Sequence, residues 1–150
     1  ERRGFMNRRH LRNHPTLADM ARAFGPVDTP LAQLAKGYVA ADGETGAPVT
    51  RNIDGRWIDL APGLEGLVIA WRRVLAHYRV EIDVAPLDRL AGALSRGELI
   101  PQELVAECQA TVTALKRAFR KMDVHKVKSL CNTASIEILM SEPNTERKAA

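Results

Sequence analysis

Several residues in this chain have a type and spacing that chemistry could use. His10 and His14 stand four apart, the spacing of two ligands on one helix face. They sit among arginines with no carboxylate close by, so solvated histidines are expected and a metal site is not. Asp83 with Asp88, and Glu98 with Glu103, could form carboxylate pairs for general acid–base work. Each is equally well placed to cap a helix or to favour its positive end. Cys108 and Cys131 fall on apolar faces of predicted helices, which fits two buried free thiols in a reducing cytosol. A disulfide between them would need Cα atoms within ~7 Å. His77 and His125 lie beside basic residues, with no nucleophile motif near them. The chain contains no glycine-rich phosphate loop and no GxGxxG, GxSxG, CxxC or HExxH pattern. The expectation is a protein without catalytic residues, metal or cofactor.

The charge is more informative in its placement than in its size. The net value is +4 over 150 residues. Residues 1–14 carry Arg2, Arg3, Arg8, Arg9 and Arg12 against Glu1, so the whole excess sits in this arm. A basic arm is an electrostatic handle for phosphate backbones, and its plain alternative is a solvated tail. A second basic cluster holds Lys116, Arg117, Arg120, Lys121, Lys126 and Lys128, with His125 among them. Its apolar neighbours fill a helix seam, so the charges must face outward. They fit either a solvated face or an anionic partner. Hydrophobic residues make up 45% of the chain, enough for burial to drive folding. No apolar run reaches the ~18–20 residues of a membrane span, and the basic start lacks the apolar stretch of a signal peptide. A soluble cytoplasmic protein is the expectation.

The elements that must position these groups are mainly helical. Leu17, Met20, Ala21 and Phe24 have helical spacing after a Thr16 cap, and Gly25-Pro26 reads as a stop. Pro30 reads as the first turn of a second helix with Leu31, Leu34, Ala35 and Tyr38 on its apolar face. Residues 41–48 read as a loop. Val49 to Ile53 and Arg56 to Leu60 flank Asp54-Gly55, the strongest hairpin signal in the chain. Leu64, Leu67, Val68, Trp71, Val74, Leu75 and Tyr78 mark a central helix, and Leu87, Leu90, Ala91 and Leu94 mark another that Gly97 stops. Cys108, Val112, Leu115, Phe119 and Met122 alternate four and three apart, a seam for another helix within the chain or across a dimer axis. Val124, Val127, Cys131, Ala134 and Ile138 repeat the spacing in a shifted phase, which implies a break near Asp123.

Residues 17–36 resemble the helix-turn-helix of bacterial and phage DNA-binding regulators. Ala21 matches the small residue of the first helix, Gly25 the turn, and Met20, Phe24, Leu31 and Leu34 the apolar positions around them. Pro26 departs from the motif, where a branched apolar residue is usual. With the hairpin that follows, the arrangement resembles a winged helix. The resemblance implies that Thr29, Gln33 and Lys36 face DNA from a recognition helix, while Arg8, Arg9, Arg12, Arg51 and Arg56 hold phosphates.

The expected organisation is a flexible arm over 1–14, a helix-turn-helix and hairpin unit over 15–60, a helical bundle over 63–141 and a frayed tail over 142–150. The expected function is non-enzymatic DNA binding, with a regulatory role and a homodimer to match paired half-sites. The rival expectation is a helical adaptor or assembly protein that binds another protein through apolar seams and a basic face.

Overall fold

A computed structural model describes residues 14–37, 40–51 and 55–141, with residues 134–141 described by backbone alone. The arm up to residue 13, the Tyr38 assignment, Asp54 of the turn and the expected tail over 142–150 lie outside the described residues. Among the described residues, five helices and one hairpin follow in the order α1 (Leu17–Ala35), β1 (Val49–Arg51), β2 (Trp57–Asp59), α2 (Leu60–Tyr78), α3 (Ala85–Ser95), α4 (Gln102–Phe119) and α5 (Val124–Ser141). The mainly helical fold with a single hairpin is as the periodicity predicts.

The helix-turn-helix is not there. Where a turn was expected at residues 25–28, α1 runs unbroken for 19 residues with Pro26 and Pro30 inside it. The reason is a stripe of Met20, Phe24, Val27, Leu31 and Leu34, spaced four and three apart straight through the Gly-Pro pair. Phe24, Val27, Leu31 and Leu34 are buried on it, together with Pro30. An interior proline costs about 3 kcal/mol, whereas each large apolar side chain removed from water contributes about 1.5–3 kcal/mol. The four apolar anchors outweigh the two prolines. Ala21, expected at a close helix crossing, is exposed. The helix stops instead at Gly37, whose φ of +92° is the left-handed conformation that the motif would have placed at Gly25.

The other helix ends follow ordinary capping chemistry. Thr16 and Asp19 form a reciprocal capping box at the start of α1. β2 passes directly into α2, whose first amide, on Leu60, donates to the Pro48 carbonyl at 2.8 Å. Thus α2 begins four residues before the predicted Leu64. It ends at Arg79, which adopts a left-handed φ of 55° without being glycine. Gly97 closes α3 as predicted, with φ +67°. The break near Asp123 is real, since its carboxylate accepts from the amides of His125 and Lys126 at 2.9 and 3.2 Å and starts α5.

The hairpin pairs Val49 with Asp59, Thr50 with Ile58 and Arg51 with Trp57. A two-residue Asp-Gly turn would set Arg51 opposite Ile58 instead, so the strands are one residue out of the expected register. Gly55 still takes the positive φ, +79°. Thr50 and Ile58 point inward with Pro26, Val27 and Leu64 around a small apolar void. Arg51 and Trp57 therefore occupy the outer face.

One core joins all five helices and crosses the expected boundary at residues 60–63. At its centre Phe24, Trp71 and Phe119 come from α1, α2 and α4. Phe24 stacks on Trp71 with ring centroids 5.3 Å apart, and Phe119 meets both edge-on at 5.7 and 5.8 Å. α1 lies antiparallel to α4, because Gln102 bonds the Leu34 carbonyl at one end while Phe119 meets Phe24 nearer the other. The seam from Cys108 to Met122 is buried in this way. It is satisfied within the chain and offers no apolar surface to a dimer.

Two substitutions check this architecture. Pro26→Ala should raise stability by roughly 1–3 kcal/mol, since an unbroken helix regains there the amide hydrogen bond that proline lacks. A loss of stability in denaturant titration would restore the turn. Trp71→Ala should cost ~3–5 kcal/mol, and an unchanged denaturation midpoint would remove it from the centre of the core.

Candidate nucleic-acid interface

The corner between α4 and α5 gathers six Lys and Arg side chains, over residues 116–128, around one carboxylate, Asp123. Lys116 and Arg117 occupy the last turn of α4, and Arg120 caps it. Cations there offset the negative end of the helix dipole, which is one reason for their placement. The backbone of the corner is fixed from beneath. Met122, Val124 and Val127 are buried, and the Asp123 amide donates to the Tyr78 hydroxyl at 3.1 Å. Arg117, Arg120, Lys121, Lys126 and Lys128 are exposed on this frame. Among the described residues, no carboxylate stands within ion-pair distance of any of these five. The Asp123 carboxylate already occupies the first amides of α5, so an incoming anion would meet side chains rather than the helix end.

Lys116 differs from its neighbours. Its Nζ lies 2.6 Å from Asp28 Oδ2 and 5.9 Å from the Phe24 ring centre, which ties α4 to α1. It is a structural lysine more than an available charge.

The start of α1 lies beside this corner. The Asp19 carboxyl is held below its usual pKa, first by the hydrogen bond from the Thr16 backbone amide. The Thr16 hydroxyl and the positive charges of Lys128 and Arg22 act in the same direction. Antiparallel packing, with Phe119 against Phe24 and Lys116 on Asp28, brings the start of α1 toward this corner. Arg8, Arg9 and Arg12, with His10, lie outside the described residues, but their segment joins the fold at His14, at this same end.

The remaining predicted residues do not join this surface. Thr29, Gln33 and Lys36 share one face of α1, with Thr29 and Lys36 exposed and Gln33 partly so. Lys36 lies about 25 Å along the helix axis from Asp19, at 1.5 Å per residue. Arg51 and Arg56 belong to the hairpin, where the Arg51 guanidinium sits 4.8 Å from the centre of the Trp57 ring. The residues expected to face DNA thus lie on α1 and the hairpin, apart from the corner that carries the second basic cluster, and the arm lies outside the described residues. Trp57 is a surface residue that the sequence reading does not flag. The signal for it is an aromatic residue at the outward position of a short strand, next to Arg56.

Three of the four candidate acid–base groups have other partners, and the fourth, Glu103, sits in the first turn of α4. Asp83 caps the Ala85 amide at 2.9 Å, Asp88 faces Arg72 at 3.6 Å, and Glu98 pairs with Arg96 at 2.6 Å. His77 and His125 are exposed. Both cysteines are free thiols. Burial pushes the Cys108 thiol up to about 12, and its sulfur lies 3.2 Å from the Pro86 carbonyl oxygen. Cys131 is only partly buried, against the expectation of full burial, and burial raises its pKa too. Among the described residues, no three His, Cys, Asp or Glu side chains cluster to hold a metal ion, and no helix is long and apolar enough to cross a membrane. Comparison with protein-family models, curated proteins and solved structures finds no match to this chain.

The corner's geometry makes a prediction about stability. Replacing Arg117, Arg120, Lys121, Lys126 or Lys128 singly by Gln should change the unfolding free energy by less than ~0.5 kcal/mol. Lys116→Ala should cost about 1 kcal/mol through the lost ion pair and stem packing, discounted for its partial exposure. Equal effects at all six positions, read from urea denaturation midpoints, would contradict the distinction.

Proposed function

We propose that this chain is a non-enzymatic nucleic-acid-binding protein, with DNA as its first partner, that holds the phosphate backbone at the α4–α5 corner. One observation carries the reading. Five exposed cations stand on a fixed backbone, without ion-paired carboxylates among the described residues, at the end of the fold where the arginine-rich segment attaches. Such a surface attracts phosphates by releasing their condensed counterions. Backbone contacts of this kind set position and affinity but carry no sequence information. Without a helix-turn-helix, Thr29, Gln33 and Lys36 have no recognition helix from which to read a groove. The reading is therefore of backbone binding, and a regulatory role would follow only from an additional source of preference.

The adaptor reading keeps one observation in its favour. Leu99 is 97% exposed at the edge of a groove of about 340 Å³, with Leu34, Leu94 and Ile100 among its lining. A protein partner would dock there, away from the basic corner.

Titration of a labelled duplex at several salt concentrations tests the proposal. The affinity should fall by roughly 0.9 log unit per log unit of salt for each phosphate contact. Replacing Arg117, Arg120, Lys121, Lys126 and Lys128 together by Gln should weaken binding to every sequence and flatten the slope. Salt-insensitive binding, or an unchanged slope in that variant, would remove the corner from the interface.

A further inference from the structure

We infer that the Trp57–Arg51 pair on the outer face of the hairpin is a stacking platform for an unpaired nucleobase. The nucleic acid is then single-stranded where it crosses the hairpin. This rests on the nucleic-acid reading above and adds to it the kind of strand.

Trp57 is 57% exposed, although an indole is among the most favourable side chains to bury. Its position is nevertheless fixed. It pairs with Arg51 across the hairpin, and the neighbouring pair, Thr50 and Ile58, lines the apolar void with α1 and α2 on the opposite face. Further along, β2 runs through Asp59 straight into the buried Leu60 at the start of α2, which anchors the strand in the core. The backbone that carries the ring is therefore set before any ligand arrives, which lowers the entropy lost on binding.

The charge around the ring selects the ligand. The Arg51 guanidinium lies 4.8 Å from the ring centre, and Arg56 is adjacent in sequence and exposed. The exposed carboxylate of Asp59 follows two residues along β2, at the end of the strand nearer the core. A guanidinium beside an aromatic face disfavours a cationic ligand and suits an aromatic one that carries phosphate. A duplex hides its base faces in the stack, whereas an unpaired base presents them. The inner face of the hairpin meets α1 at Pro26 and Val27. These residues lie about 10 Å along the helix axis from Asp19, so a few nucleotides would cover the axial distance from the basic corner.

The test uses the whole chain with a labelled oligothymidylate and a duplex of equal length. Wild-type protein should bind the single strand more tightly than the duplex. The single strand should also quench tryptophan emission, because Trp57 is exposed while Trp71 is 4% exposed inside the core. Trp57→Ala should weaken single-strand binding roughly 5- to 150-fold, the range for one stacked base. Duplex affinity and salt slope should stay unchanged, and Trp57→Phe should recover most of the loss. Unchanged single-strand binding in Trp57→Ala would overturn the stacking inference and leave the corner reading intact. Equal weakening for both probes would overturn it too, by showing that the hairpin contacts only the backbone. A proline-rich peptide that quenches Trp57 where the oligonucleotide does not would also overturn it. Failure of the wild type to bind either nucleic acid at low salt would remove the broader reading, and this inference with it.

Discussion

The contact among Phe24, Trp71 and Phe119 is the constraint on which the fold depends. These three rings come from α1, α2 and α4, and they meet by one stacked and two edge-on contacts. Edge-on and offset arrangements place the positive rim of one ring against the negative face of another, so the trio adds geometric preference to burial. It also fixes where α1 lies along α4. With that set, Asp28 reaches Lys116 and Gln102 reaches the Leu34 carbonyl. The hairpin then has a surface of Pro26 and Val27 on which to rest.

Much of this was legible in the residue pattern. The stripes from Leu64 to Tyr78 and from Cys108 to Met122 have the spacing of buried helix faces, and the structure buries most of the first and all of the second. The break at Asp123 was visible as a shift of phase. What misled was local punctuation. Gly25-Pro26 has the composition of a helix stop, but the alternation from Met20 to Leu34 continues through it, and burial along that stripe overrides propensity. The use of the α4 seam was not legible at all. Spacing shows that a stripe needs a partner, not whether the partner lies in the same chain.

The candidate site was legible in its charges and not in its geometry. Arginines and lysines can be counted from the sequence, yet whether they share a surface depends on helix directions. Antiparallel packing of α1 on α4 brings the start of α1 to the basic corner and sends Lys36 to the far end. Lys116 illustrates the same point on a smaller scale. It has the same charge as its neighbours, and its 2.6 Å contact with Asp28 gives it a different role. Trp57 was missed because alternation in a short hairpin assigns faces only once the register is known.

The two prolines inside α1 bear on the order in which the molecule is made. Without the amide hydrogens at positions 26 and 30, the carbonyls of Arg22 and Pro26 have no partner at the usual helical spacing. An isolated α1 would be a poor helix, and it depends on Trp71 and Phe119 to hold its shape. Yet Phe119 is synthesised 95 residues after Phe24. At ribosomal rates of ~5–20 residues per second, that is a delay on the order of ten seconds. Throughout that interval the N-terminal segment lacks the full surface on which it folds. The helix over Leu17–Ala35 is thus among the last of the described elements to settle, and Phe24 stays exposed until the core can receive it.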